Sequence, residues 1–345
     1  MTKDIPVGAG AGLVAALLFG VLLKGSVVAF FLSLLVPLPI LIVGLGWSYR
    51  AAIAAVVTGA LVLALLLSPY FGLVFTGFLA LPAGWLAYLA LLGRTDANGT
   101  QEWYPTGRLL AWVAGTAALA FVGPAAVTSP SYDAFNSHVS STFSRAVVQF
   151  QVQRGRLPPL AASPEQTEPK DGPSQPSPDG ASGSRTPGEV RLDGRAEQLV
   201  EALTLVFPAF VAQGLTILFT FYLWAAARIV QISGRLLRPW PDLPSTMMPR
   251  STLLVFAAAL TLAMVPGYPG ALGIALIGAF SAAFALQGLA AFHDRSRGRP
   301  GRFALLAGLY VLLFLTQGVA MLALILFGIA DTALDRRRPQ PRGDA

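Results

Sequence analysis

Apolar and polar positions are sharply segregated along this chain. About nine apolar runs alternate with short polar gaps, at 7–23, 26–47, 51–67, 70–92, 109–127, 202–226, 251–265, 271–292 and 303–334. Most hold about 17–23 residues, enough for a helix to cross a ~30 Å hydrocarbon core. Charge is crowded into the gaps, because an ionised side chain at the bilayer centre costs at least ~2.5–3.5 kcal/mol. The pattern predicts an all-α fold, a polytopic transmembrane bundle of eight to nine apolar segments.

One region breaks the alternation. Tyr132, Phe135, Val139, Phe143, Val147 and Phe150 recur at intervals of three and four with Ser, Asn, Arg and Gln between them, an amphipathic helix. No aromatic residue follows until Phe207, and Leu157 to Gly188 is rich in Pro, Ser, Gly, Glu and Asp. Such a stretch buries too little apolar area to offset chain entropy, so a disordered linker is expected over 155–188. Helical spacing resumes at Leu192, Ala196, Leu199, Val200 and Leu203 and runs into the sixth span. Four parts are therefore expected: a first membrane bundle of five spans (1–128), extramembrane amphipathic helices (129–201), a second bundle of three to four apolar segments (202–335) and a basic tail (336–345).

With the N-terminus inside, alternate crossings put Arg50, Arg94, Arg108, Arg228, Arg235, Arg238, Arg250, Arg295, Arg297, Arg299 and Arg302 in inside loops. Lys24 is the one basic residue of a short outside turn, and the polar insert falls outside. The last run breaks the scheme. At about 48 Å as one helix it is longer than the core. Either it doubles back near Thr316-Gln317-Gly318, returning the C-terminus inside, or it crosses once and leaves Arg336, Arg337 and Arg338 outside. The first is the favoured reading.

Composition narrows the chemistry. The chain is 54% hydrophobic and only 12% charged, against roughly 25% charged in soluble domains. Cysteine is absent, which removes disulfides, thiolate catalysis and sulfur-held metals. The two histidines, His138 and His293, lie on opposite sides of the insert and are too few for a histidine metal centre. The +7 net charge sits in loops beside spans, as an inside bias requires, and is not read as a nucleic-acid footprint. Heavy use of Ala, Gly, Arg and Pro suggests a GC-rich bacterial genome, and with the apolar spans a bacterial inner membrane is the expected location.

Local motifs are few. Lys24-Gly25-Ser26 lacks the preceding glycine of a phosphate loop, so no ATPase of the chain's own is expected. His138 with Ser140, Ser141 and Asp133 has no nucleophile elbow. No catalytic, cofactor or metal constellation emerges, and no enzyme is expected. The sharpest signal is the small-residue stripe Gly8, Gly12, Ala16 and Gly20, widened by Ala11 and Ala15; such stripes let helix backbones approach closely, within the chain or against a partner. Pro37 and Pro39 break the second run and free backbone carbonyls of the kind that hold ligands in transporters. With Gln213, Gln287 and Gln317 they form the candidate ligand lining. Asp331 and Glu201 are read as lying near span ends, which leaves no carboxylate at depth for ion coupling.

Four stretches resemble the YybS-like family of multi-pass bacterial membrane proteins, whose defining domain has no assigned function. They are Leu35-Val36-Pro37-Leu38-Pro39, Leu237-Arg238-Pro239 through Pro249, Leu286-Gln287-Gly288-Leu289, and Gly328-Ile329-Ala330-Asp331 through Asp335-Arg336. In its first half that family is distantly similar to the substrate-binding S components of energy-coupling-factor transporters, which dock through an Ala-x-x-x-Ala stripe on their first helix. Ala11 and Ala15 fit that stripe. The resemblance implies a small-molecule-binding or transport subunit, energised by a transmembrane coupling protein and ATPase subunits. The alternative expectation is a scaffold or assembly factor acting through its extramembrane helices. Oligomeric state is not readable.

Overall fold

The computed structural model describes residues 4–97, 99–153, 194–316 and 318–334. The expected linker 155–188, the basic tail and Gln317 lie outside the described residues. The described residues divide into two compact units, Met1–Tyr132 with Pro208–Ala345, and Asp133–Phe207. The two sets of spans expected as separate bundles therefore share one unit. A buried cluster that includes Phe19, Ile40, Phe75 and Val113 continues into Phe219, Tyr222 and Val230 of the later half.

The first unit opens with α1 (Asp4–Val21), α2 (Val27–Ser33) and α3 (Pro37–Gly46). Pro37 occupies the first turn of α3, where its missing N–H is not needed, so the break in the second run falls at 34–36. Then come α4 (Tyr49–Leu66), α5 (Pro69–Phe75), a π-helical turn (Thr76–Ala80) and α6 (Leu81–Ala90). Strands β1 (Gly93–Thr95) and β2 (Gln101–Trp103) form a short antiparallel hairpin in the expected polar loop, turning through Gly99 at φ 80°. After α7 (Thr106–Thr128) the chain passes through the other unit and returns in α9 (Gly194–Ile232). It ends in α10 (Ser251–Leu262), α11 (Tyr268–Arg295), α12 (Arg302–Thr316) and α13 (Gly318–Leu334).

Seven of these segments are long and apolar enough to cross a membrane, and α10, α12 and α13 are shorter apolar helices. Their outward faces are themselves apolar: Leu65, Phe303 and Phe314 are more than 80% exposed. Side chains of this kind on all sides need lipid as their solvent. The chain is a multi-pass helical membrane protein.

Contacts between loops collect the arginines at one end. Ser48 donates to Asp4 at the start of α1 (3.0 Å), and Arg235 stacks over Trp47 (4.4 Å). Arg238 donates to the carbonyl of Ala90 (3.2 Å), and Arg297 pairs with Asp242, holding that carboxyl below its ordinary value. The opposite turns hold Ser68-Pro69 and Pro266 to Pro269, without charge.

The final run is two helices, and α13 runs parallel to α11. Gly288 lies against Leu324 and Gly328, Gly328 against Phe284, and beyond that crossing Arg295 reaches Asp331. Since α11 ends at the arginine-rich end, α13 ends there too, and α12 must run back between them. This is the doubled-back alternative. Reporter fusions after Gly234 and after Leu334 are expected to report the same side of the membrane; opposite sides would reject the arrangement.

In the second unit, α8 (Tyr132–Gln153) and the first turns of α9 form a helical pair. Val139, Ala196, Val200 and Thr204 are buried, and Phe143 meets Phe207 edge-on at 5.6 Å. The exposed hydroxyls of Ser137, Ser140, Ser141 and Thr142 bond back to carbonyls three or four residues earlier, as expected for the polar face of an amphipathic helix.

Candidate functional site

The α1 stripe is taken up inside the chain. A Cβ added at Gly8 would sit 2.2 Å from the Ala51 carbonyl oxygen, and one at Gly12 would sit 2.4 Å from that of Ala55. Only glycine permits this backbone contact between α1 and α4. Ala15 and Ala16 are buried and Ala11 packs on the same core, while Gly20 has open space around it. The Gly8–Gly12 face is therefore not free for a partner.

The candidate ligand-lining residues do not converge. Pro37 is buried and Pro39 half-buried in α3, and Gln213 donates to the sulfur of Met321 at 3.7 Å. Span hydroxyls are spent locally: Thr76, Thr216, Thr220 and Thr316 each bond the carbonyl four residues back.

Gln287 is fully buried and makes a clasp. Its carbonyl oxygen accepts from the Met248 amide (2.9 Å), and its amide donates to Asp331 Oδ2 (3.0 Å) and Thr332 Oγ1 (2.8 Å). Asp331 Oδ1 accepts from Arg295 (3.3 Å), whose guanidinium also covers the Phe327 ring at 4.7 Å. The Asp331 side chain is 0% exposed and that of Arg295 39%. This corrects the expectation that no carboxylate is buried. The sequence signal was Asp331-Thr332 within an otherwise apolar run, with arginines one loop away. Among the described residues no buried side-chain nitrogen or oxygen lacks a partner, and no cluster of His, Asp or Glu fits a metal ion.

The concave feature lies beside this clasp. A cavity of about 610 Å³ opens between α7, α9, α11 and the 236–246 segment. That is within the ~300–1,000 Å³ usual for small-molecule sites. Leu110, Val113, Leu223, Ala227, Leu286 and Ala290 make its apolar walls. Polar side chains are few. Thr106 and Thr246 bond each other (3.3 Å), His293 contacts Tyr310 (3.0 Å), and Arg238 is the single always-charged group. Met248, held by Gln287, anchors the end of the 236–246 segment, and an added Cβ at Gly107 would strike the Met247 carbonyl at 1.7 Å, so that segment lies directly on α7. None of Pro37, Pro39, Gln213 and Gln287 lines the cavity.

No curated protein and no solved structure matches the chain. Residues 181–332, which take in α9 through most of α13 with the clasp and three of the four elements around the cavity, match the model of a family described as "Predicted membrane protein (DUF2232)".

Proposed function

We propose that the chain is an integral membrane protein that binds a hydrophobic small molecule in the cavity between α7, α9 and α11. The cavity's size and nearly all-apolar lining carry this reading. In it, the protein is a ligand-holding transport subunit of a bacterial inner membrane, the arginine-rich end faces the cytoplasm, and separate partners supply energy because the sequence has no phosphate loop. Docking would use a surface other than Gly8 and Gly12.

Filling the cavity tests this. Ala227→Phe and Ala290→Phe place an aromatic ring where small side chains now line the space. After extraction in mild detergent, the wild-type protein is expected to carry a co-purifying apolar compound in near-stoichiometric amount, found by mass spectrometry of an organic extract. Both variants are expected to lose it by tenfold or more while remaining monodisperse. An unchanged extract in the variants, or an empty wild-type protein, rejects the reading. The scaffold reading rests on the polar-faced helical pair of the second unit; it gains if deleting 131–201 abolishes function in the cell while the filled variants are silent.

A further inference from the structure

We propose that the cavity's ligand is an anionic membrane lipid that enters sideways from the bilayer, with one acyl chain between α9 and α11 and its phosphate on Arg238. This rests on the cavity being a binding site and names the class of molecule it takes.

The first observation is the direction of the opening. Ile217, Phe221 and Trp224 line the cavity and are 42%, 54% and 45% exposed. They lie on a span-length helix, so their exposed faces meet lipid rather than water. The mouth therefore runs along α9 for about 10 Å from Trp224 toward the bilayer interior. A water-borne solute has no reason to arrive there; a lipid chain is already present at that depth.

The second observation is charge. No carboxylate lines the cavity. Asp242 lies between the lining residues Pro241 and Leu243, but it is paired with Arg297. Arg238 gives one N–H to the Ala90 carbonyl at the end of α6, and a guanidinium carries five. Its remaining donors suit a phosphate. Burial pushes the Arg238 pKa below its ordinary value, so an anion beside it offsets a desolvation cost already incurred.

The third observation is depth. Trp240 also lines the cavity and carries Arg228 stacked on its ring at 5.5 Å, a pairing suited to the headgroup level. The cation and the indole thus sit at the arginine-rich end, and the apolar trough runs inward from them. That is the register of a bilayer lipid: phosphate at the interface, chain toward the midplane. A neutral lipid leaves Arg238 without a counter-charge. A choline headgroup brings a second cation toward Arg228 and Arg238.

The test uses the full chain reconstituted in bilayers of equal dioleoylphosphatidylglycerol and dioleoylphosphatidylcholine, then released into mild detergent for native mass spectrometry. Wild-type protein is expected to retain one phosphatidylglycerol about tenfold over phosphatidylcholine. Arg238→Gln is expected to bring the two near parity, Arg238→Lys to keep most of the preference, and Ala290→Phe to strip both lipids. Equal retention by the wild type, or a preference that survives Arg238→Gln, overturns the headgroup assignment and leaves a hydrophobic cavity standing. A different apolar compound in the cavity does the same. Retention untouched by Ala290→Phe marks the lipid as a surface one and overturns the proposal. Should Arg238→Gln aggregate, the Lys variant decides, since loss of preference there contradicts recognition by charge.

Discussion

Replacing Gly328 by valine is expected to force α13 off α11 and to lower the stability of the detergent-solubilised protein by about 3 kcal/mol, the upper end of the overpacking range. The size follows from what the new side chain meets. A Cβ at Gly328 falls 1.9 Å from the Phe284 carbonyl oxygen, and the reciprocal Cβ at Gly288 falls 2.2 Å from that of Leu324. Both obstacles are backbone, so no rotamer change relieves them. In lipid this close approach gives α11 and α13 dispersion and weak Cα–H···O contacts, where burial from water contributes little between apolar helices. Thermal aggregation followed by fluorescence-detected gel filtration measures the loss. Gly308→Val is the control: a Cβ at Gly308 meets nothing within 4 Å, so its midpoint is expected to stay near the wild-type value. Equal midpoints for the two variants would reject the α11–α13 crossing.

Cutting the buried clasp is expected to cost a similar amount and to reach the cavity. Asp331→Ala removes the acceptor of Arg295 and one of the two acceptors of the Gln287 amide. Breaking a fully buried ion pair costs about 3–5 kcal/mol. Arg295 is more than a third exposed and can rehydrate, so about 2–3 kcal/mol is expected here. Gln287→Leu removes the acceptor of the Met248 amide and one donor to the Asp331 carboxylate together. Because the two residues share one hydrogen bond, the double variant is expected to lose less than the sum of the singles. The clasp also tethers the segment that walls the cavity, so Gln287→Leu is expected to reduce retained ligand several-fold, although Gln287 lines no part of the cavity. Additive losses with unchanged ligand retention would make the clasp local to α13.

Gln287 illustrates how far the sequence leads. A glutamine amid apolar residues is conspicuous in one dimension, because lipid tolerates it only with partners. Which partners it finds depends on where Met248 and Asp331 arrive, more than 35 positions away on either side. Its hydrogen bonds go to protein groups and it does not line the cavity, whereas the linear pattern alone suggests ligand lining. Asp331 shows the related point that distance along the chain from a span end does not measure burial: Arg295 and Gln287 enclose a carboxylate only three residues before α13 ends at Leu334.

The α1 stripe shows the same limit. Gly8 and Gly12 announce close helix approach, and α4 of the same chain supplies the surface. The cavity left no linear trace, since its wall residues are ordinary alanines and leucines of α7, α9 and α11 together with a loop.

By itself the sequence determined that this chain lives in lipid, which stretches become helices, and that its arginines gather at one end. These follow from the cost of exposing a charge or an unpaired peptide group to hydrocarbon, a cost counted residue by residue along the chain. Only the tertiary structure decided that the last run turns back, that α13 lies parallel to α11, and that a hollow remains between α7, α9 and α11. Each depends on which small or polar side chains meet across helices, and lipid, being as apolar as the helices themselves, gives the linear pattern no preference among partners.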